Sequence, residues 1–341
     1  MEGIMMRGPK NTAMAVRNTK GELVVEEFPT VGAKRPAICR WPIIRGIFGY
    51  IDSMVLGYKC LMRSAELSGL EDIVEEKPKK KKKEKNENTE APITEESNDA
   101  SEATGETKED QKEEKLPSWV MTLTMVIGVA LGVLLAVGLF LFLPTFLYEL
   151  ASRYIGFLQS DNAIVKSLVK SAFEGILRVI LLVGYMAAIA LMKDIRRTFM
   201  YHGAEHKTIF CYEAGLELTV ENVRAQRRFH PRCGTSFLIL MVLVSIFVSF
   251  FIDPISIAIS GAELPMVLRL LVKLLLIPLI VGLGYELIKF AGRHDNLLTR
   301  IISLPGVWLQ HITVFEPTDD MIECAITAVK RVIPDDGSDN W

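Results

Sequence analysis

Four long apolar runs set the pattern of this chain, separated by charged stretches of very different character. Val120 to Leu143 carries no charge, and Trp119 and Tyr148 stand at its ends as interface anchors. Ile176 to Met192 holds a single charge, Arg178, one turn after Glu174. Phe237 to Ile252 is uncharged and runs into Asp253-Pro254. Met266 to Phe290 carries Arg269 and Lys273, which can snorkel to an interface, and Pro278, which predicts a kink. Runs of this length and apolarity predict four membrane-spanning helices rather than the buried elements of a soluble core.

The flanking segments follow other periods. Thr12 to Arg17 and Glu22 to Phe28 are β-prone and surround Asn18-Thr19-Lys20-Gly21, which predicts a hairpin within residues 1–35, ended by Pro29 and Pro36. In residues 36–70, Arg45, Asp52, Lys59 and Glu66 recur every seven positions, with Arg63 on the same stripe. Ile44, Ile47, Phe48, Ile51, Met54, Val55, Tyr58 and Met62 fill the rest, so an amphipathic helix lies in the membrane surface or packs under a cytosolic domain. Residues 71–116 open on the Lys79 to Lys83 run and hold almost no large apolar residues, the composition of a disordered charged linker that can touch anionic headgroups.

The four-span region then occupies residues 117–292, with a loop at 193–236, and residues 293–341 follow as a C-terminal segment. There Asn296 to Trp308 is an apolar stretch broken by Pro305-Gly306, and His311 to Phe315 is a strand candidate. Glu316-Pro317 is a stop, and Thr318 to Val332 is a helix whose Met321, Cys324, Ala325, Ala328 and Val329 share a face. The fold class expected is an α-helical polytopic membrane protein of about four transmembrane helices. A small cytosolic α/β lobe, built from the N- and C-terminal segments, would complete it.

Charge and cysteine content sharpen this picture. Net charge is −2 over 341 residues, which gives no basic footprint for a nucleic-acid partner. The five cysteines (39, 60, 211, 233, 324) are scattered and odd in number, unlike a disulfide framework. Met1 to Lys10 has no apolar core, so the first span is expected to serve as the targeting signal. Lys193, Arg196, Arg197, Lys207, Arg224, Arg227, Arg228 and Arg232 crowd the 193–236 loop, whereas Tyr148 to Phe173 holds only Arg153, Lys166 and Lys170. The positive-inside rule places the 193–236 loop and both termini in the cytosol of a multi-pass protein of the cell membrane.

Chemistry concentrates in Met200 to Phe237. His202 and His206 stand four apart, on one face of a helix, and Glu205 completes H-x-x-E-H. His230 and Cys233 form a second pair, H-x-x-C. Imidazole with thiolate suits zinc among the common divalent metals. In one arrangement His202, His206 and either His230 or Cys233 hold the ion, and Glu205 deprotonates a water. In another, all four residues close the site as a staple; in a third, the histidines only hydrogen-bond between loop and lobe. Cys211 is expected to pack rather than ligate. Arg224, Arg227, Arg228 and Arg232 either clamp a phosphate or only set topology. Glu2 and Arg7 can pair across the Gly8-Pro9 turn. Glu286 and Lys289 form a helix pair or line a cavity.

EGIMMRGP, YHGAEHKTIFCYE, LTVENV, HPRCGTSF and LPGVWLQHITVFEPTDDMIECAI resemble the YqhQ-like family of bacterial and some plastid-lineage membrane proteins. Members usually carry a short stretch similar to GGQAV before the first motif. The family is commonly described as predicted metal-dependent enzymes, which implies a metal site on the residues just named. The expected function is therefore a zinc-dependent hydrolase at the cytosolic membrane surface, with lipids and other membrane proteins as partners. A zinc-stapled, non-catalytic scaffold for membrane-protein assembly or insertion is the alternative. A transporter is the second, and it would need Glu174, Arg178 and Glu286 on one polar path.

Overall fold

The computed structural model describes residues 3–29 except 19, 36–67, and 118–334 except 159, 232 and 295. The charged linker at 71–116, and Glu2 and Arg232, lie outside the described residues. The chain is mostly helical with one small sheet. Strands β1 (Gly3–Arg7), β2 (Asn11–Arg17) and β3 (Leu23–Pro29) form an antiparallel meander in the order β1-β2-β3. The expected hairpin is the β2–β3 pair, and Asn18 closes it by accepting the Lys20 and Glu22 N–H groups on its side chain. Strand β1 went unread because a five-residue strand shows too little alternation of its own; its register, Ile4↔Ala15 and Met6↔Ala13, supplies the missing pattern.

Helices follow in the order α1 (Ile44–Leu67), α2 (Ser118–Val137), a π-helical segment Gly138–Phe142, and α3 (Leu143–Ser152). Then come α4 (Ala163–Ala190), α5 (Lys193–Glu213), α6 (Val220–Arg224), α7 (Gly234–Ser260) and α8 (Met266–Leu275). The last are α9 (Ile277–Arg293), α10 (Leu297–Thr313) and α11 (Asp319–Val332). Among the described residues, three continuous helices, Val126–Ser152, Ala163–Ala190 and Gly234–Ser260, are long and apolar enough to cross a membrane. The α8–α9 pair, bent by 45°, makes a fourth if counted as one span.

Two boundaries depart from the apolar pattern. Helix α4 begins at Ala163, well before Ile176, because Asn162 caps it by accepting the Ile164 and Val165 N–H groups. Its polar residues Lys170, Glu174 and Arg178 are buried against other helices rather than set in a loop. Helix α10 runs unbroken through Pro305-Gly306 to Thr313, so the expected strand at 311–315 does not form. An Asn296–Thr299 capping box starts α10. Gly306 presses it onto Ser236 so closely that a Cβ would meet the serine Cβ at 2.4 Å. Packing of this kind offsets the interior proline, which costs about 3 kcal/mol in an isolated helix.

Both faces of the sheet are covered. Ala15, with Ile4 and Met6, packs on Met321, Cys324, Ala325 and Ala328 of α11, which in turn lies against Tyr201, Ala204 and Cys211 of α5. Met14 and Val16 point the other way, onto Leu56 and Cys60 of α1. This explains the unbroken run of buried residues from Thr12 to Val16. The face read for the last helix is the one buried, and Thr318 stands at its N-cap. Among the described residues the lobe is therefore sheet plus helices, without a C-terminal strand. Helix α1 joins it to the long helices: Arg45 makes a two-pronged ion pair with Glu286 of α9, whose carboxylate also accepts the Ile43 N–H.

Candidate metal centre

The segment between α4 and α7, expected as a loop, is largely the helix α5, packed between the lobe and the long helices. On it His202 and His206 face the same way, with ring centroids 4.4 Å apart. Cys233 meets them as the N-cap of α7, where its sulfur accepts the Thr235 N–H. Ligand atoms of His202, His206 and Cys233 all lie within 4.8 Å of one another.

Backbone carbonyls fix both imidazoles. His202 donates its Nδ1–H to Thr313 O at 3.0 Å, on the last residue of α10. His206 donates its Nδ1–H to Arg228 O at 2.6 Å. Each ring therefore turns Nε2 inward, and His202 Nε2 sits 3.1 Å from the Cys233 sulfur. Locking Nδ1–H onto a carbonyl is how proteins orient histidine ligands. A close backbone approach makes the first of these bonds possible: a Cβ on Gly203 would fall 2.0 Å from Phe315 O. The Phe315 N–H in turn donates to Phe199 O at 3.0 Å.

The local electrostatics favour a thiolate. Burial works against a charged sulfur, but hydrogen bonding and charge from His202 and His206 outweigh it and bring the Cys233 thiol down to about 4. Burial likewise opposes a charged His202, yet the hydrogen bond to Cys233 and its charge raise that imidazole to about 9. These opposed shifts favour an imidazolium–thiolate couple, and Cys233 lies at the N-terminus of a long helix whose dipole also favours the anion. Glu205 is partly buried beside them; burial raises its carboxyl, while the neighbouring imidazoles pull the other way. Its carboxylate makes no hydrogen bond among the described residues.

His230 lies next to this trio rather than within it. Its ring centroid is 5.7 Å from that of His206 and 4.5 Å from that of Phe210, and its Nε2 is 3.4 Å from Glu213. Gln310, fully buried on α10, grips its backbone: Oε1 accepts the His230 N–H at 2.8 Å and Nε2 donates to His230 O at 2.7 Å. A third bond, Nε2 to Ser236 Oγ at 3.2 Å, ties the same amide to α7. Gln310 and Gly203 escaped the sequence reading, since neither residue type suggests chemistry. A lone amide in an apolar stretch was the available signal for Gln310.

The remaining candidates find other partners. Cys211 is fully buried in the lobe core, as expected, and burial raises its thiol. Arg224 pairs with Asp319, Arg227 stacks 4.4 Å over Phe210, and Arg228 reaches Glu316 at 3.5 Å. Arg7 donates to Ser53 on α1 at 3.0 Å. Glu286 holds Arg45, and Lys289 lies over the Tyr285 ring.

Zinc donors about 2.0–2.3 Å from the ion stand roughly 3.5 Å from each other in a tetrahedron. In the His/His/Cys trio one pair of ligand atoms stands 3.1 Å apart and all lie within 4.8 Å of one another, close enough to be candidates for one ion.

Fold and site together define a class: a helical protein with three or four apolar helices of spanning length, a sheet-and-helix lobe, and a His/His/Cys cluster where they meet. The chain belongs to the family of proteins of unknown function DUF1385, which matches residues 41–335. It is also 31% identical over 335 residues to "Uncharacterized protein YqhQ" of Bacillus subtilis (strain 168), covering 98% of this chain and 90% of that one. No solved structure matches it.

Proposed function

We propose that the protein is a multi-pass protein of the cell membrane with both termini in the cytosol, and that it holds zinc on its cytosolic face as a metal-dependent hydrolase. The orientation is supported by the basic residues of α5 and α6, which follow one end of α4 and precede the same end of α7. Exposed apolar residues on α1 (Ile51, Met54, Val55) and on α10 (Ile301, Leu304, Trp308) suit an interfacial position for both helices, in contact with lipid.

One observation carries the metal reading: two imidazoles with Nδ1 committed to backbone carbonyls, and the Cys233 sulfur within 4.8 Å of a ligand nitrogen on each. A divalent metal in such a site supplies Lewis acidity and lowers the pKa of a water it holds to roughly 7. With three protein donors, a bound metal would keep room for a water. Glu205, beside the trio and without a hydrogen-bond partner among the described residues, would serve as the base toward such a water. Gln310 and Thr313 keep the donors in place and do no chemistry. The scaffold reading keeps one point in its favour, the His230 ring beside His206, from which a fourth donor could close the site.

Elemental analysis of the purified full-length protein tests this. Wild type should retain about one zinc per chain. His206→Ala should lose it, and Glu205→Gln should keep it while losing the ability to complement a deletion strain. His230→Ala keeps its metal if the site is open; loss of metal there assigns the closed staple instead. A wild type free of metal under metal-replete purification ends the reading.

A further inference from the structure

With α7 as a span, the metal centre sits at the depth of lipid headgroups. Cys233 is the N-cap of α7, which has 27 residues. A helix of that length reaches about 40 Å against about 30 Å of hydrocarbon, so its first residues fall in the headgroup layer. The sheet, α5 and α11 share one core, so whichever side of the membrane holds one of them holds all three, and the centre with them. In the four-span reading α9 returns to that side. Helix α10, which runs from the end of α9 to the His202 contact at Thr313, then lies along the surface.

One face of α10 is unpartnered and leads to the centre. Leu297, Ile301, Leu304 and Trp308 are exposed and follow one another at helical spacing, a stripe of about 16 Å. The next position on that stripe is His311, which donates Nδ1–H to Trp308 O at 2.9 Å. Its ring centroid is 4.4 Å from that of Phe229, the residue before His230. The stripe therefore ends against residues 227–230, whose last member stands beside His206.

There the charge is of one sign and only partly used. Arg224 is taken up by Asp319, and Arg228 reaches Glu316 at 3.5 Å. Arg227 is exposed and makes no hydrogen bond or ion pair among the described residues. Its guanidinium lies 4.4 Å over the Phe210 ring, which is 4.5 Å from that of His230. Stacking on an aromatic holds the guanidinium in place while its N–H donors stay available.

We propose that this surface binds an anionic amphiphile from the cytosolic leaflet, its chain along the α10 stripe and its headgroup on Arg227, beside the metal centre. The proposal rests on the metal reading and names the class of molecule the centre acts on, a lipid with a negatively charged head. A soluble anion would have no use for the stripe, and an apolar peptide none for the unpaired arginine. The cytosolic leaflet is the anionic one, so such a molecule is at hand there.

Thermal unfolding of the full-length protein at a fixed concentration of neutral detergent tests this, with zinc content measured on the same samples. The probe is dihexanoyl phosphatidylglycerol. Dihexanoyl phosphatidylcholine matches its chains without the net charge, and inorganic phosphate supplies charge without chains. A saturable rise in midpoint is expected with phosphatidylglycerol, at concentrations on the order of tenfold below those at which either control acts. Arg227→Gln should weaken phosphatidylglycerol binding on the order of tenfold, as loss of a charged hydrogen bond does. Leu304→Gln should weaken it several-fold and leave any phosphate response unchanged. Arg224→Gln removes the same charge three positions away, where Asp319 already holds it, and should leave affinity as it was. Equal weakening by Arg224→Gln and Arg227→Gln means a diffuse field of charge and overturns the proposal. So does a wild type that answers phosphatidylglycerol no better than the controls. If Arg227→Gln fails to fold, Leu304→Gln decides alone, and undiminished binding in it is refutation. Zinc bound without a lipid response sinks this proposal and leaves the metal reading; a lipid response without zinc sinks the metal reading and leaves the surface.

Discussion

Gly203 offers the sharpest test of how the metal centre is built, because its role is steric and independent of any ion. A methyl group there would lie 2.0 Å from Phe315 O and 3.2 Å from its carbonyl carbon. Both are backbone atoms that cannot rotate away. Gly203→Ala must therefore push α5 from the 314–316 segment, and the bond from His202 Nδ1 to Thr313 O lies beside that contact. Alanine gains about 1 kcal/mol over glycine inside a helix. Overpacking costs about 1–3 kcal/mol and sometimes more, so with rigid backbone opposite, a net loss near 2 kcal/mol is expected. At roughly 2–4 °C per kcal/mol, the unfolding midpoint falls by about 4–8 °C.

Gly57 is the control, since it sits in α1 with nothing within 4 Å of its Cβ position. Gly57→Ala should therefore be neutral or stabilising by up to about 1 kcal/mol. The assay is tryptophan fluorescence against temperature at one fixed scan rate, with metal content measured on the same samples. Gly203→Ala should lose both stability and metal, and Gly57→Ala neither. If the two variants behave alike, the close approach of α5 to the 314–316 segment is wrong, and with it the orientation of His202.

Two further outcomes follow from the same geometry. Gln310→Met keeps side-chain volume but strands the buried His230 N–H and C=O; at about 1–3 kcal/mol for each lost partner, stability should drop by about 2–6 kcal/mol, read as a lower unfolding midpoint, with metal content reduced. In metal-stripped protein, alkylation of Cys233 by iodoacetamide should proceed at a rate nearly independent of pH from 6 to 8, because a thiol at about 4 is already ionised there. His202→Ala removes the stabilising imidazolium, raises that thiol, and should make the rate climb with pH over the same interval, followed by mass spectrometry of the Cys233 peptide.

The parts of this molecule that the sequence discloses are those governed by a local period. Val126–Ser152 and Gly234–Ser260 stand out because lipid-length apolar runs need no partner to be recognised. The buried face of α11 is readable from a 3.6-residue repeat, and the pairing of His202 with His206 from their spacing on α5. Elements that depend on a distant partner stay hidden. Strand β1 exists because β2 offers it a register, and α10 survives Pro305 because Gly306 nests on Ser236, 70 positions away in the chain.

The same distinction explains the two polar sites. An imidazole pair on one helix announces itself, whereas the acceptors that orient it are main-chain carbonyls of Thr313 and Arg228, to which side-chain identity contributes nothing. In the buried cluster the sequence misleads in the opposite direction. Lys170 and Glu174 appear to end an apolar run, so a reading by hydropathy stops the span at Ile176. Yet Glu174 collects donors from α3, α4 and α8, and that convergence is what lets α4 carry charge deep among apolar helices. Charges that shorten a span on paper are here the contacts that hold three helices together.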